Sequence, residues 1–363
     1  MRPALKSGLL PVWRDRDTLQ IGIDPRRAIA LSGMAKAAFV IGLLDGSRER
    51  DQIIAAAAGR GIPAQATERI LTLLAAGGAL DDFPASTFRE IPHPLRAKLG
   101  PELATTSLAH RDGDGGARAL ARRRAAVVRI EGDQRTGRAA ARILTAAGVG
   151  QVEFIRPPAD STPTELNRRP AGAGQAGLTS LPAGAAGDRG RSRGPGRAAL
   201  TRPPAAVRRR RAGPSRGPLA EPDLVILAGR QPLVRLAELA RERVPHLAVF
   251  AGEAIGVVGP MVMPRLTACL LCLDYVRAGN DPAWPLILAQ LGRRKPDPPA
   301  CDAVLATAVA AQAAAQALIA IEKSPLSSAA VNGTLELVLP DWKWRRRTWP
   351  PHPACPCASH TVR

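Results

Sequence analysis

A long central segment without hydrophobic patterning limits the folds that this chain can adopt. Residues 156–222 contain almost nothing but Arg, Pro, Gly, Ala, Ser and Thr, and no apolar residue recurs there with the period of a strand or a helix. A structureless insertion of this length is unusual inside a compact domain. Two explanations stay open: a disordered loop, or a GC-rich gene read in the wrong frame between two compensating shifts. The folded core must come from the residues on either side.

The same segment carries much of the positive charge of the chain. The formal net charge is +20, and between positions 156 and 220 thirteen arginines stand against three acidic residues, so about half of the excess lies there. A groove that binds nucleic acid specifically needs a folded basic surface. Nucleic-acid binding is therefore not the function that this charge distribution favours.

The chain has no targeting or membrane pattern. The first 13 residues lack the apolar stretch and the small-residue cleavage site of a signal peptide. The most apolar stretch, 303–321, is interrupted by Thr307, Gln312 and Gln316, so no membrane span is predicted. We expect a cytoplasmic protein, in which five cysteines, all after residue 268, are better explained as metal ligands or buried thiols than as disulfides.

Residues 1–85 predict a small α+β module of the winged-helix type. Its predicted strands are 10–13, 18–22 and 28–31, its helices are 34–44, 50–59 and 64–76, and its closing edge is 80–82. A plain helical cap without a ligand is the alternative. Residues 86–122, rich in Arg, Gly, Asp and Pro, are predicted to form a linker with a short helix.

Residues 123–357 predict an α/β domain with a Rossmann-like sheet. A strand at 125–130, a helix at 139–147 and a strand at 151–155 form a βαβ beginning. The pattern returns after the central segment, with strands at 223–228, 246–250, 254–258 and 331–339 and helices at 233–243 and 302–321.

The turn after the first of these strands has the position of a dinucleotide-binding turn but lacks part of its residue set. Gly132 and Gly137 stand between strand and helix as the motif requires. Position 134 is Gln, where the middle glycine normally lets the backbone approach phosphate. The second strand runs into Arg156 without the acidic residue that would hold a ribose. Gly132, Arg135 and Gly137 are the candidate nucleotide contacts, and ATP binding is doubtful.

Two cysteine pairs predict a metal site. A Cys-x-x-Cys turn directs two thiolates at one tetrahedral ion, and a second pair far downstream would complete the site. The four ligands are Cys269, Cys272, Cys355 and Cys357. We expect structural zinc that joins the carboxyl-terminal tail to the domain; four ordinary thiols are the alternative. Because Cys-x-Cys is the less common spacing, His352 or His360 could replace one sulfur.

Two further features allow a functional and a structural explanation. Cys301 stands at the start of a predicted helix, whose dipole would lower a thiol pKa, so it is the candidate nucleophile. A small buried residue at a helix entry is the alternative, which we favour. The tail 341–349 mixes Trp with basic residues, as single-strand binders do. The alternation equally fits a strand with one buried and one solvated face, the explanation that we favour.

Several blocks of the second half resemble the ThiF-like proteins of actinobacteria. They are GPMVMP at 259–264, TACLLCLD at 267–274, DPAWP at 281–285, VNGTLEL at 331–337 and HPACPC at 352–357. The resemblance covers residues 223–357 well, 125–155 loosely and 156–222 not at all. It implies a Rossmann-like α/β domain of the HesA/MoeB/ThiF, ubiquitin-activating-enzyme-like type with a zinc knuckle.

The first 85 residues, with LLDG at 43–46 and LDD at 80–82, are similar to the winged helix in front of the ThiF-like domain of azoline-forming cyclodehydratases. This similarity implies a peptide-recognition module that binds a ribosomal precursor peptide by its leader. The chain would present that peptide to a separate YcaO-type partner, which consumes the ATP. A degenerate nucleotide turn is expected in such a protein. The chain departs from the adenylating branch at Gln134, and at Gly229 and Arg230, where that branch has an acidic residue near magnesium.

Two other functions stay open. An ATP-dependent adenylyltransferase that activates the carboxyl terminus of a sulfur-carrier protein needs a phosphate-cradling turn, a magnesium carboxylate and a basic residue for the leaving group. Only the basic residue is present, as Arg135 or Arg230. An inactive scaffold, or pseudoenzyme, is the third possibility. A homodimer is a further expectation from the resemblance, because ThiF-like domains usually dimerise, and no membrane partner is expected.

Overall fold

Two small sheets and three helices form the amino-terminal part of this computed structural model, which describes residues 2–82, 97–132, 134–155, 221–291 and 300–357. The elements are β1 (Pro3–Leu5), β2 (Pro11–Trp13), β3 (Leu19–Ile21), β4 (Ile29–Leu31), α1 (Phe39–Gly42), α2 (Arg50–Ala58), α3 (Ala64–Ala76) and β5 (Leu80–Asp82). β1 pairs antiparallel with β5, and β2, β3 and β4 form an antiparallel sheet in that order. This order of elements agrees with the sequence prediction, except that β1 is additional and the helix predicted at 34–44 is the single turn α1. The winged-helix assignment stays a prediction.

Helix α3 packs in the core of the amino-terminal part, and its end contacts the strand β4. Its residues Ile70, Leu71 and Leu74 recur at helical spacing and are buried in a cluster with the apolar residues of β3 and β4. The helix is followed by its C-cap Gly77, where an added Cβ would lie 2.3 Å from Cδ1 of Ile29 in β4. The end of α3 therefore lies directly against β4, at an edge of the three-stranded sheet.

Two helices, α4 (Gly100–His110) and α5 (Ala117–Ala125), lie in the region predicted to be a linker. The ammonium group of Lys6, which follows β1, is fully buried, forms an ion pair with Asp81 and donates hydrogen bonds to the hydroxyl (2.6 Å) and carbonyl (3.1 Å) oxygens of Ser107 in α4. Because a buried ammonium needs partners for all its donors, this network fixes α4 to the amino-terminal part.

A mixed sheet of seven strands forms the second part. Its elements are β6 (Val127–Gly132), α6 (Gln134–Ala146), β7 (Gln151–Ile155), β8 (Leu224–Ala228), α7 (Leu233–Arg241), β9 (His246–Gly252), β10 (Ile255–Val262), α8 (Leu270–Asn280), α9 (Trp284–Leu291), α10 (Ala303–Glu322), β11 (Gly333–Val338) and β12 (Lys343–Thr348). The strand order is β12-β11-β10-β9-β8-β6-β7. β7, β6, β8 and β9 run parallel, and β10, β11 and β12 continue the sheet antiparallel. The predicted α/β class is confirmed.

Burial on both sides explains the sequence of the central strand. All five residues of β8, Leu224–Ala228, are buried, as expected for a parallel strand covered on both faces. α6 and α10 cover one face, where Leu224 and Ile226 pack in the main cluster, and α7 covers the other, where Val225 and Leu227 pack.

The long helix α10 builds much of the core from alanine. An added Cβ at Gly256 in β10 would lie 2.3 Å from Cγ2 of Val309, so helix and sheet approach closely. Small side chains permit this approach, which accounts for a core with few aromatic residues. By length and composition alone Ala303–Glu322 could cross a membrane, but half of that stretch is buried in the fold and packs on β9 and β10. Passing this test does not contradict the sequence expectation of no membrane span, which stays a prediction.

A buried ionic cluster joins α4 and α5 to the end of α10. The carboxylate of Glu322 pairs with Arg123 of α5 and with His110 of α4 (2.6 Å), and Arg123 also reaches Glu102 (2.8 Å). Arg123 and Glu322 are almost fully buried, so removing one partner would leave an unpaired buried charge. The α4–α5 region is thus attached to both parts of the fold.

The tail strand differs from its predicted environment. Residues 343–348 do form a strand, β12, but all six are exposed, so the expected buried face is absent. Among the described residues β12 is the last strand of the sheet and pairs with β11, beyond the strands on which α10 packs, so both of its faces are exposed. The helices α8 and α9 follow the cysteine turn and were not predicted. Of the low-complexity segment, residues 156–220 lie outside the described residues.

Candidate functional site

The four predicted cysteine ligands lie together. Their sulfur atoms are all within 4.8 Å of one another, although two of them are far from the others in sequence. The Sγ–Sγ distances are 3.8 Å for Cys269–Cys272, 3.7 Å for Cys269–Cys355 and 3.3 Å for Cys272–Cys357. Tetrahedral zinc with Zn–S bonds of about 2.3 Å places sulfur atoms about 3.8 Å apart, whereas a disulfide needs about 2.05 Å. The cluster can therefore hold a metal ion and contains no disulfide.

Two elements bring these sulfurs together. Cys269 is the residue before α8 and Cys272 lies in its first turn, so the helix start presents both thiols. The second pair is placed by the tail after β12, which is anchored by the buried Trp349. The backbone N–H of Trp349 donates to the carbonyl oxygen of Asn332 (2.9 Å), and its indole N–H donates to Thr334 (2.9 Å). Trp349 and Asn332 are anchors that the spacing of the cysteines could not reveal.

Burial and hydrogen bonds change the acidity of the thiols in the cluster. Burial raises the pKa of the Cys269 thiol to about 12 and raises that of Cys357 above its usual range. Burial acts on Cys272 as well, but hydrogen bonds from the backbone of His352 and Cys269 bring its pKa below the usual value. Four thiolates without a cation would repel one another at these distances, and a divalent ion removes that repulsion.

Neither histidine considered as a substitute ligand belongs to the cluster in the described part of the chain. The ring of His352 stacks on Tyr275 with 5.1 Å between ring centroids, and its Nδ1 accepts a hydrogen bond from the backbone N–H of Ala354 (3.2 Å). His360 lies outside the described residues. The four sulfur atoms form the donor set by themselves.

The turn after β6 lies where doubly wound sheets bind ligands. β6 has β7 on one side and β8 on the other, so the strand order reverses between the carboxyl ends of β6 and β8. Gly132 has a φ of 110°, and a Cβ there would lie 2.0 Å from the carbonyl oxygen of Ala228 and 2.8 Å from Nε2 of Gln231. The chain's own atoms therefore close on this glycine.

The other candidates of the turn also have structural partners. A Cβ at Gly137 would lie 2.8 Å from Cε2 of Phe154 and 3.2 Å from Cγ2 of Ile130, so this glycine lets α6 approach the sheet. The guanidinium of Arg135 donates a hydrogen bond to the carbonyl oxygen of Cys301 (2.7 Å). Gln134 begins α6. Whether the turn holds a nucleotide stays a prediction.

Cys301, the candidate nucleophile, is buried immediately before α10. The structure brings it to Arg135, but through its backbone carbonyl rather than through its thiol. The next residue, Asp302, caps the helix by accepting a hydrogen bond from the backbone N–H of Leu305 (2.7 Å). This environment is that of a small buried residue at a helix entry, and the nucleophile role stays a prediction.

One ion pair near the turn was missed. Glu131, the residue before Gly132, receives two hydrogen bonds from Arg235 of α7, at 2.9 and 2.6 Å. These hydrogen bonds raise the pKa of Arg235 above its usual range, against the effect of its burial. The two residues are more than a hundred positions apart, and no local pattern links a strand-end glutamate to an arginine of a later helix.

Fold and site together define a mixed α/β protein with a doubly wound sheet and a carboxyl-terminal cluster of four cysteines. Several solved structures match nearly the whole chain in fold. A heterocyclase in complex with substrate and cofactor has a TM-score of 0.60 and 15% identity, over 98% of this chain and 39% of that chain. The heterocyclase TruD has a TM-score of 0.59 and 14% identity, over 98% of this chain and 42% of that one. The chain thus spans about two fifths of these heterocyclases.

The microcin C7 biosynthetic enzyme MccB matches over its full length. Its structure in complex with N-formylated MccA has a TM-score of 0.58 and 14% identity, over 99% of this chain and 100% of that chain. E. coli MccB with AMPCPP and selenomethionine MccA has a TM-score of 0.58 and 13% identity, over 99% of both chains. No family model and no curated protein matches the chain. At these identities the likeness is one of fold, and at that level it confirms the predicted resemblance.

Proposed function

We propose that this protein binds a ribosomally made precursor peptide by its leader and presents it to a separate YcaO-type enzyme. The proposal is supported by the fold, which is that of two heterocyclases and of a microcin biosynthetic enzyme solved with MccA. About three fifths of the length of the heterocyclase chains is not matched by this chain. In this proposal, the YcaO-type partner performs the role of that unmatched part. The protein would act in the cytoplasm.

The open edge of β4 is the observation that carries the proposal. β4 pairs with β3 on one side, and among the described residues no strand pairs with its other side. An extended peptide can add to such an edge as a further strand, with backbone hydrogen bonds for affinity and neighbouring pockets for selectivity. The edge of β2 is open in the same sense, and we choose β4 because the end of α3 lies against Ile29.

Helix α3 supplies a wall beside this edge. Gly77 contacts Ile29 of β4, and Leu73 lies one helical turn earlier on the same face. The side of α3 next to Leu73 is buried in the core, but Leu73 itself is 48% exposed. An apolar side chain in this position can contact a peptide strand on β4 without being needed for folding.

The proposal is tested by binding of the full-length protein to a labelled leader peptide. The probe is a fluorescein-labelled leader from the short open reading frame that we expect beside the gene. Leu73→Asp should weaken binding at least about tenfold, the effect of losing one buried apolar contact and gaining a buried charge. Thr72→Asp, which places the same charge on an exposed neighbouring position of α3, should leave binding unchanged.

Equal binding by the wild type and Leu73→Asp, or no binding by either, would contradict the proposal. Circular dichroism of both variants distinguishes loss of binding from loss of fold. A gene neighbourhood with a ubiquitin-like protein ending in Gly-Gly, and without a YcaO-type gene, would also count against it.

We propose further that the cysteine cluster holds one structural zinc ion. The donor set consists of four thiols, with no position that a substrate could occupy among them, and thiolates are ligands that zinc prefers. Zinc bound by these residues would supply folding energy and hold the tail 349–357 on α8. No catalytic step is assigned to it.

A second candidate function is supported by one comparison. MccB, solved with AMPCPP, matches this chain over the full length of both. An adenylyltransferase that activates a sulfur-carrier protein therefore remains the alternative, and an inactive scaffold the third. Exchange of pyrophosphate into ATP in the presence of the carrier separates them, since only the adenylyltransferase catalyses it.

A further inference from the structure

The strand β12 ends the large sheet and leaves one edge of that sheet open. Among the described residues it pairs with β11 and with no other strand. The backbone N–H of Trp349, directly after β12, donates to the carbonyl oxygen of Asn332 (2.9 Å), so Trp349 directs its backbone groups to the β11 side. In an antiparallel pair, alternate residues direct their N–H and C=O groups to the same side. The backbone groups of Trp344, Arg346 and Thr348 therefore face the open edge.

The side chains of β12 are mostly basic. Four of its six residues are Lys or Arg, and all six are exposed. Lys343, Arg345 and Arg347 alternate along the strand and so lie on one face of it. Asp341 pairs with Arg345 at 2.9 Å, and Glu336 of β11 stands opposite Arg345. Four basic and two acidic side chains leave this edge with two positive charges in excess.

The other face of β12 carries an indole and an arginine that is bound to the fold. The guanidinium of Arg346 donates hydrogen bonds to the carbonyl oxygens of Ala329 and Val331, at 2.9 Å each. Trp344 lies opposite the buried Leu337 of β11 but is itself 38% exposed. A strand added at this edge would therefore meet positive charge on one face and an apolar ring on the other.

The charge of β12 argues against pairing with a second copy of this chain. Antiparallel pairing centred on Arg345 would place the two Arg345 side chains opposite each other and Lys343 opposite Arg347. Pairing centred on Arg346 would place Arg345 opposite Arg347. Like charges directly opposite each other destabilise a sheet, and charged edge strands are one means by which proteins prevent self-association. A strand with acidic side chains meets no such repulsion.

We propose that β12 binds an extended, acidic segment of a partner protein as a further strand of the large sheet. Backbone hydrogen bonds at the open edge supply affinity, as in other cases of strand addition. Acidic side chains at alternate positions of the segment lie beside the three basic residues of one face, and apolar side chains lie beside Trp344. The complementary charge selects the partner. This surface lies on the second part of the fold and does not depend on leader binding at β4.

Fluorescence anisotropy of the full-length, zinc-loaded protein with a fluorescein-labelled peptide of alternating Glu and Val tests the proposal. We expect saturable binding, with a dissociation constant that rises at least about tenfold when Lys343→Glu and Arg345→Glu are combined, because reversing two charges turns attraction into repulsion. The matched control combines Arg241→Glu and Arg243→Glu. It makes the same change of net charge at exposed positions at and just after the end of α7, and should leave the constant unchanged.

A second peptide separates strand addition from attraction by charge alone. It has the same composition, with all Glu residues before all Val residues, and so keeps the charge but not the alternation. It should bind at least about threefold more weakly, because fewer of its carboxylates reach the basic face. With the alternating peptide bound, amide exchange measured by NMR should slow at Trp344, Arg346 and Thr348, whose N–H groups face the open edge. Circular dichroism and zinc content should be the same in all variants.

Several results would overturn the proposal. They are no saturable binding of the alternating peptide, equal binding of both peptides, equal loss in the control variant, and bound peptide without slower exchange at the open edge. Tighter binding of a thymidine oligonucleotide of equal charge would assign β12 to nucleic acid instead. A dimer in sedimentation equilibrium that is lost on combining Lys343→Glu and Arg345→Glu would assign it to a second copy.

Discussion

The cysteine cluster and the glycine turn after β6 differ in the atoms that surround their key residues. In the cluster, four sulfur atoms lie within 4.8 Å of one another, at the spacing of a tetrahedral metal site. In the turn, the space next to Gly132 is taken by the Ala228 carbonyl and the Gln231 amide, and Arg135 is bonded to the backbone of Cys301. Packing within the protein can therefore explain the glycine spacing of the turn. The four converging sulfur atoms, in contrast, form a donor set that can bind a metal ion.

The largest effect is expected from breaking the cluster. Cys269→Ser or Cys355→Ser should lower the zinc content from about one ion per chain to none and reduce the free energy of unfolding by several kcal/mol, because metal binding contributes to folding. Elemental analysis and denaturant unfolding measure the two quantities. The variant Cys301→Ser changes a cysteine outside the cluster and should bind as much zinc as the wild type. A wild-type protein purified without any bound metal would remove the zinc proposal.

A smaller effect is expected from filling the turn. Gly132→Ala should destabilise the protein by about 1–3 kcal/mol or more, because the new Cβ meets the Ala228 carbonyl and the residue has positive φ. Gly33 also has positive φ but nothing within 4 Å of an added Cβ, so Gly33→Ala isolates the backbone strain and should cost less. Equal losses in urea unfolding would show that the packing explanation of Gly132 is wrong.

The smallest effect is expected from adding nucleotide. Because position 134 is Gln and the acidic residue that would hold a ribose is absent, ATP should bind no more tightly than inorganic triphosphate, and adenosine should not bind. Isothermal titration of the zinc-loaded protein measures this. A micromolar dissociation constant for ATP that triphosphate does not reproduce would show that the turn accepts a nucleotide after all.

Local patterns predicted most elements but not their environments. The apolar runs of β6 and β8 and the helical spacing in α3 define these elements within a few residues, because hydrophobic periodicity is a local property. The strand β12 was expected to have a buried face and is exposed throughout, since its place at the sheet edge depends on pairing with β11. Edge position is a property of topology, which the pattern of one segment does not contain.

The candidate functional site shows the same difference between what local patterns predict and what depends on tertiary structure. The spacing Cys-x-x-Cys identified two of the four thiols that the fold brings together, because a helix start fixes the geometry of this pair within four residues. The contacts of Arg230, Arg277 and Arg347 with Trp284 and Trp349 were not identified, because these arginines come from a loop, a helix and a strand that meet only in the folded chain. The buried bonds of Lys6 to Asp81 and Ser107 depend on tertiary structure in the same way.

Hydrogen–deuterium exchange of the full-length protein, with and without leader peptide, tests the central claim most directly. If the peptide adds as a strand to β4, exchange of the backbone N–H groups in residues 29–31 should slow, and exchange in 132–137 should not change. Slower exchange in the turn after β6 without protection of β4, or no change in either region, would contradict the account.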